Sequence, residues 1–528
     1  MPAERIPLVV GVTGHRSLRP EDVPALTRGV KDILSKLRQR YPHCPLVMLD
    51  DLAEGAGQLC AQAALDLDIP LIVALPLPRT EFEKDFEGPA LEAFRSLLER
   101  AKQQFVVPAA EAAPDAPDRN FFYRQQGIYV ATHCQVLLAL WDGGEGTPGG
   151  CGTAEAVSFA LQRDYRPRDD GPLLSVVRVI QLFTPRGERC DGAPGTPILL
   201  GDGDAWTGIM DRQEEFNRLC DRCSSGATLL PKDQAADGLL DRMEELYGAA
   251  DGLSLRFARA YRRVLGILAG VSTLITVAFL LYDEANWHFL ILACGLALVC
   301  AFFLQRYAKK SQCHRRYLEY RALAESLRVQ AYLRYAGVKR EGVSLLPWSQ
   351  QYDIPWVAMA MLVLGIGPQP DQSHDIRDCW PGEQLRYHRS MQQQARGKLR
   401  LSERVVWSAM LISVGLYVAA LAFELFFGGM LPRFPAILSA EVYRTALKLA
   451  LGSISAATLF ISNYYGKLSL SRVLKDHEKM AAFYERIDRQ LTRCGQTESL
   501  LLLLAREELI ENGNWCSYQQ DNTPDFSL

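Results

Sequence analysis

The sequence predicts an α/β fold, a Rossmann-like parallel sheet with helices on both faces, followed by an all-α transmembrane region of four helices in two hairpins. Three observations carry this expectation. Short, continuously apolar runs alternate with helical stretches in the N-terminal part, the pattern of strands buried on both faces. Two of those runs end in loops rich in glycine. The second half then turns to long uncharged apolar runs flanked by arginine and lysine, as membrane helices are.

Leu8 to Thr13 is the first strand, ending in Gly14-His15-Arg16, and Pro20-Glu21-Asp22 opens an amphipathic helix to about Arg40. Pro45 to Leu49 is the second strand, ending at Asp50-Asp51. Leu52-Ala53-Glu54-Gly55-Ala56-Gly57 leads into a small-residue helix through Leu67. Pro70 to Leu75 is the third strand, closed by Pro76-Leu77-Pro78. A helix from about Pro89 to Gln103 precedes a fourth strand, Gln104 to Val107. Arg119 to His133 is helical, Gln135 to Leu140 is the central strand, and Leu174 to Thr184 is the last.

Ligands of such sheets collect at the carboxyl ends of the strands. Three of these ends carry candidate ligand-binding residues: Gly11, Thr13, Gly14, His15 and Arg16; Glu54 and Gly55; and Asp142, Gly149, Gly150, Gly152, Thr153 and Glu155. The third follows an apolar run through a loop of glycines to a helix start at Gly152-Thr153, where free N–H groups and the helix dipole favour an anion. Glycines and hydroxyls can hold a phosphate, Arg16 can pair with it bidentately, and carboxylates can bind ribose hydroxyls. A nucleotide-derived ligand is the expected guest, with no certain cofactor. Bland roles stand beside these. His15 either bonds its own loop or touches ligand, Glu54 either charges a helix N-terminus or binds, and Arg124 is either a surface arginine or a phosphate clamp.

At 528 residues the chain is long enough for two or three units. A net charge of -3 argues against nucleic acid as a partner. The chain does not open with a basic segment, an apolar stretch and a cleavage site, so its N-terminal domain is expected in the cytoplasm. The cysteines are scattered and read as reduced thiols, Cys220 and Cys223 forming a lone CxxC; no metal site is expected.

GVTGHR at 11 to 16, LAEGAGQ at 52 to 58, ALPLPRTEFEKDF at 74 to 86, and ALWDG with PGGCGT at 139 to 153 resemble the SLOG superfamily. Its members are Rossmann-like nucleotide-binding domains related to the LOG phosphoribohydrolases and the DNA-processing protein DprA, and similar domains sit in TRPM channels and Thoeris antiphage effectors. The resemblance implies a sensor of nucleotide-derived signals. LOG enzymes carry PGGxGTxxE, whose glutamate assists cleavage of an N-glycosidic bond. Here Glu155 arrives one residue early and position 156 is alanine, a rotation of about 100° on a helix. Glu155 and Glu54 are therefore candidates for catalysis only under an enzymatic alternative, a membrane-tethered nucleotide or NAD-derivative hydrolase.

Pro185 to Ala205 has the Gly, Pro and Asp content of a boundary, and Gln213 to Leu246 reads as a charged helical lever. Val264 to Tyr282 and Trp287 to Leu304 form the first expected membrane hairpin; Val405 to Phe427 and Thr445 to Tyr464 form the second. Arginines and lysines flank both hairpins on the same side, which places both chain ends in the cytoplasm, at the inner or plasma membrane. Trp356 to Gly365, too short to span, reads as interfacial or packed against the bundle. Ser455, Thr458 and Ser462 share one helix face, marking either close helix packing or contact with water in an open state. The expected domains are 1–200, nucleotide binding; 201–252, helical linker; 253–340, first hairpin and cytoplasmic helix; 341–396, connecting segment; and 397–528, second hairpin and C-terminal helices.

The hairpins read as a distant duplication, one offset placing Tyr307 on Tyr465, Lys309 on Lys467 and Gly337 on Gly495. With the ending AREELIENGNW at 505 to 515, they resemble SLATT effector modules, two-helix units proposed to form membrane pores. Taken with the first resemblance, this implies an oligomeric antiphage or stress-response effector. Its ligand would be a nucleotide, a cyclic nucleotide or an ADP-ribose-type molecule, supplied by a signal-producing enzyme. A ligand-gated ion channel outside defence is a further alternative.

Overall fold

The computed structural model describes residues 4–108, 118–145, 152–161, 177–186, 192–201, 203–221, 226–231, 237–284, 288–426, 440–467 and 470–521. The chain folds as two compact units: residues 1–253, 319–376 and 496–517 form the first, and 254–318, 377–495 and 518–528 the second.

The first unit is built on seven strands: β1 (Leu8–Gly14), β2 (Leu46–Asp50), β3 (Leu71–Leu75), β4 (Gln103–Val106), β5 (Val136–Trp141), β6 (Arg178–Phe183) and β7 (Pro197–Leu200). They lie in the order β4-β3-β2-β1-β5-β6-β7. All pairs are parallel except β6 with β7. β2, β3 and β5 are buried almost throughout, which is why they read as unbroken apolar runs. β7 falls inside the stretch expected as a boundary loop; it is a short, mostly exposed antiparallel edge and carries no buried pattern to read.

Around the sheet lie α1 (Val23–Arg40), α2 (Ala56–Leu65), the short α3 (Arg79–Phe82), α4 (Gly88–Glu99), α5 (Arg119–His133), α6 (Thr153–Ala160) and α7 (Gly203–Cys220). α1 buries Leu26, Val30, Ile33, Leu34 and Leu37, one stripe at helical spacing. The stretch expected as a linker contains α7, whose Trp206, Met210 and Phe216 are core residues. Its Gln213 donates to the Pro7 carbonyl at 2.9 Å, and the Trp206 indole donates to the Gln135 carbonyl at 2.6 Å. Gln135 in turn accepts the Val9 N–H at 2.7 Å, so polar side chains tie α7 to the sheet.

After α8 (Gly238–Glu284), whose first residues lie here, and α9 (Leu290–Ser311), which lies wholly in the second unit, the first unit takes in most of α10 (Cys313–Tyr335), α11 (Trp348–Asp353), α12 (Pro355–Leu364) and most of α16 (Glu498–Asp521). The expectation that Trp356 to Gly365 is interfacial or packed against the membrane bundle is corrected here. All of Trp356 to Leu364 is buried, and α12 packs against α5 and α7. A helix apolar on every side is what a protein core takes in as readily as a bilayer edge.

The second unit holds the remainder of α8, α9, α13 (Pro381–Phe426), α14 (Ala440–Lys467) and α15 (Leu470–Cys494). α15 is amphipathic: Met480, Tyr484, Ile487 and Leu491 form its buried stripe, and it packs along α13. Arg389–Glu485 at 2.6 Å and Arg396–Glu478 at 2.7 Å join the two helices, and Arg377, in the turn before α13, pairs with Asp488 at 2.7 Å.

Among the described residues, three stretches are long and apolar enough to cross a membrane: Gly238–Asp283, Leu290–Tyr335 and Pro381–Ala422. Only 11%, 11% and 0% of their most apolar windows are buried, so these side chains face outward, as lipid-facing residues do. They contain the expected span Val264 to Tyr282 whole, Trp287 to Leu304 from Leu290 onward and Val405 to Phe427 as far as Ala422; Trp287 and Phe427 lie outside the described residues. The fourth expected span, Thr445 to Tyr464, lies inside the helix α14 but is not among those three. Gly337 and Gly495, which the repeat brings together, share a left-handed backbone at φ 76° and 73°.

Candidate functional site

A cleft of about 690 Å³ opens at the carboxyl ends of β1, β2 and β5. Its form follows from how two loops are pressed together. At the end of β1 the His15 N–H donates to the Leu140 carbonyl at 3.0 Å, and the Ala56 N–H donates back to the His15 carbonyl at 3.0 Å. Gly55 adopts φ +83°, and a Cβ there would overlap the Arg16 carbonyl and sit 2.7 Å from that of His15. Glycine at 55 therefore lets the β2–α2 loop close onto the β1 loop.

His15 is buried, and its Nε2 accepts the backbone N–H of Asp142 at 3.2 Å. Burial lowers its pKa, the Asp142 carboxylate working against that shift and Arg186 with it, so the ring is the neutral acceptor this bond needs. Asp142 is turned inward as well, its carboxylate accepting the Gly144 N–H at 2.9 Å, next to Gly143 at φ +79°. The loop after β5 is thus held by the loop after β1.

Three arginines line the cleft: Arg16, Arg124 and Arg186. The Arg16 guanidinium lies 5.4 Å from the centre of the Tyr123 ring on α5, a cation–π contact. Tyr123 is itself bonded to Asp85, and Arg119 pairs with Asp85 at 2.5 Å. Arg124, one residue further along α5, donates from Nε to Glu155 Oε1 at 2.7 Å. The other carboxylate oxygen of Glu155 is buried without a hydrogen-bond partner. Glu155 stands in the first turn of α6, which begins at Gly152 with no side-chain cap. Gly152, Thr153 and Ala154 line the cleft, so the uncapped start of α6 borders it.

Of the residues expected from sequence, Thr13, Gly14, His15, Arg16, Asp142, Gly152, Thr153 and Glu155 line this one cleft. Gly11 does not: it lies within β1, where a Cβ would come 2.8 Å from Val130 Cγ1 and 2.9 Å from Cys134, and it serves the packing of β1 on α5. Glu54 is exposed and, with Gly55, is not among the lining residues. Gly149 and Gly150 lie outside the described residues, as does Cys223 of the CxxC. The lining also includes Asp50, Asp51, Tyr123 and Arg186, which sequence reasoning did not single out. Two acidic residues after a strand look like a solvated turn, and only the packing of α2 against them reveals burial.

Among the described residues no group of three or more His, Cys, Asp and Glu side chains is arranged to hold a metal.

A family described as a protein of unknown function, DUF4231, matches residues 248–339, a stretch that takes in the apolar parts of α8 and α9 and all of α10. No curated protein matches the chain.

Proposed function

We propose that the chain is a membrane-anchored sensor of a nucleotide-derived signal, whose bound state gates or permeabilises the membrane. The observation that carries this reading is one cleft in which Arg16, Arg124 and the uncapped start of α6 converge, on a chain that also holds three long, outward-facing apolar helices. Cationic side chains beside free helix N–H groups suit a phosphate, and carboxylates beside them suit a sugar. The SLOG-like and SLATT-like motifs support the same pairing and add the biological expectation of an antiphage or stress-response effector. The basic residues flanking the spans support cytoplasmic chain ends at the inner or plasma membrane. Exposed apolar helix faces suit a homo-oligomer in the bilayer.

Gating requires that the ligand bind one state of the membrane region more tightly than the other. The test is dye release from proteoliposomes carrying the full chain, across nucleoside monophosphates, ADP-ribose, cyclic ADP-ribose and cyclic dinucleotides. Release with a nucleotide that also binds by calorimetry is expected. A nucleotide that binds and releases nothing overturns the gating role.

One observation favours a second reading as a tethered hydrolase: Glu155 sits in the cleft with one oxygen on Arg124 and the other without a partner. Such a carboxylate can act as acid or base. Free base appearing from nucleoside monophosphates, and its loss in Glu155→Gln, would establish this reading over sensing.

A further inference from the structure

Where α8 and α9 leave their apolar runs, the second unit gathers positive charge without acidic neighbours in sequence. No Asp or Glu stands from Gly252 to Tyr282 or from Ala285 to Leu318, yet bases crowd the ends of both runs: Arg259, Arg262 and Arg263 before Val264, and Arg306, Lys309 and Lys310 after Leu304. All six are exposed. Arg259 and Arg262 turn their Nε groups onto the Leu255 and Ala258 carbonyls, at 3.2 Å and 3.3 Å, and none of the six pairs with a carboxylate among the described residues.

The two sets lie at one level. α8 and α9 run antiparallel: the Cys294 thiol is 3.8 Å from the Ile275 carbonyl oxygen, and towards the basic end the Tyr261 and His314 rings are 4.5 Å apart. The Arg316 guanidinium lies 5.3 Å from the centre of the Phe257 ring. Residues 259–263 and 306–310 each cover about 6 Å of helix axis. That matches one headgroup layer, about 5–7 Å deep on either side of the hydrocarbon core.

The face that these bases border is apolar and exposed, with Ile267 on α8 and Phe302 and Phe303 on α9. Arg306 marks the junction, its guanidinium 6.0 Å from the centre of the Phe302 ring. An occupant that satisfies both parts carries an anion and an apolar tail together, which suits a phospholipid and not a soluble nucleotide. The α13–α15 pair differs: Arg389 and Arg396 already meet Glu485 and Glu478, and Glu403 stands among the bases before the apolar run of α13.

We infer that the basic end of the α8–α9 hairpin is a binding site for anionic phospholipid, the six bases holding its phosphate and the Ile267 and Phe302 face taking its acyl chains. This rests on the membrane-anchored part of the reading above and adds a lipid preference to it. Anchoring by this hairpin then depends on the charge of the leaflet it meets.

The experiment is native mass spectrometry of the full chain in detergent micelles, titrated with phosphatidylglycerol or with phosphatidylcholine of the same chains. The parent should hold phosphatidylglycerol about 5- to 30-fold more tightly, which is what one or two bases contribute at an anionic surface. With Arg259→Gln, Arg262→Gln and Arg263→Gln combined, that preference should fall to within about twofold. Arg389→Gln with Arg396→Gln should leave it unchanged, because carboxylates already meet those charges. Should the α8 variant fail to fold, Lys309→Gln with Lys310→Gln tests the same site from α9. Equal affinity for the two lipids in the parent, or an undiminished preference in the α8 and α9 variants, overturns the lipid site alone. Release of phosphatidylglycerol by glycerol phosphate at equal concentration assigns the bases to a soluble anion and overturns it as well. A chain that floats with vesicles of neither lipid overturns the membrane anchoring together with it.

Discussion

The His15 ring accepts the Asp142 backbone N–H at 3.2 Å, joining the loop after β1 to the loop after β5 through a nitrogen that must be unprotonated. The folded chain holds His15 below its ordinary pKa of 6.5. Above 6.5 both folded and unfolded chains carry neutral histidine, and the contact is fully present. As pH falls below 6.5 the unfolded chain takes up a proton first, so stability declines until the folded pKa is passed, then levels off. Thermal unfolding of the solubilised parent and of His15→Ala at each pH isolates this contribution, and the stability difference between the two should shrink as pH falls below 6.5. At pH 8 that variant should lose about 1 kcal/mol, the net worth of a hydrogen bond to a part-buried N–H. A variant as stable as the parent at pH 8 would remove the assigned role.

Gly55 and Gly152 stand near the same cleft and should answer differently to alanine. At Gly55 the added Cβ meets backbone oxygens at φ +83°, so Gly55→Ala must force the two loops apart, at a cost of about 3 kcal/mol or more. Gly152 has φ -101°, and a Cβ there meets nothing within 4 Å. Gly152→Ala should change stability by under about 1 kcal/mol. Melting curves of the pair check this, and equal losses would refute the account of Gly55.

The sheet was legible because β1, β2, β3 and β5 are buried on both faces and so are written as continuous apolar runs. β7 was not, since Pro197, Ile198 and Leu199 are exposed and stand in a stretch whose proline and glycine look like loop. α12 misled because apolar composition does not distinguish a bilayer from a protein interior. What buries it includes α7, a helix that looks charged and solvent-facing in sequence, yet keeps Met210, Gln213 and Phe216 inside. At the cleft, glycines and arginine announced three loops, whereas Asp50 and Asp51 depended on the closeness of Gly57, a relation that spacing along the chain does not express.

Glu511 on α16 makes stability depend on pH in the opposite sense to His15. Burial first, then Glu325 and Glu508, raise its carboxyl to about 7 from 4.5, against the opposing pull of Arg321 and Arg328. Below 4.5 both states hold the proton. Between 4.5 and about 7 only the folded state does, so stability falls as pH rises through that window and is flat above it. Glu511→Gln should be more stable than the parent at pH 8 by about 1–3 kcal/mol, with little difference at pH 4. Comparing the variant with the parent at each pH cancels the contribution of His15. A gain that is the same at both values would show that ionisation of Glu511 is not its source.

In the second unit the closeness of α8 and α14 depends on Gly452. A Cβ at this position would lie 2.8 Å from Leu280 Cδ1, so the helices meet where one of them has no side chain. In hydrocarbon the apolar surface of a helix gains little by leaving lipid for another helix, and close van der Waals packing at small residues supplies the association. Alanine demands a shift of Leu280, which a flexible side-chain end can make. Isoleucine demands separation of the helices. Gly452→Ala should therefore retain the contact, and Gly452→Ile should lose about 1–3 kcal/mol by overpacking. Cysteines introduced at Asp283 and Leu449, each within a turn of the contact, leave Leu280 in place and report the separation through crosslinking yield. The yield should hold with alanine and drop with isoleucine. Equal yields in both would mean that α8 and α14 do not meet at Gly452.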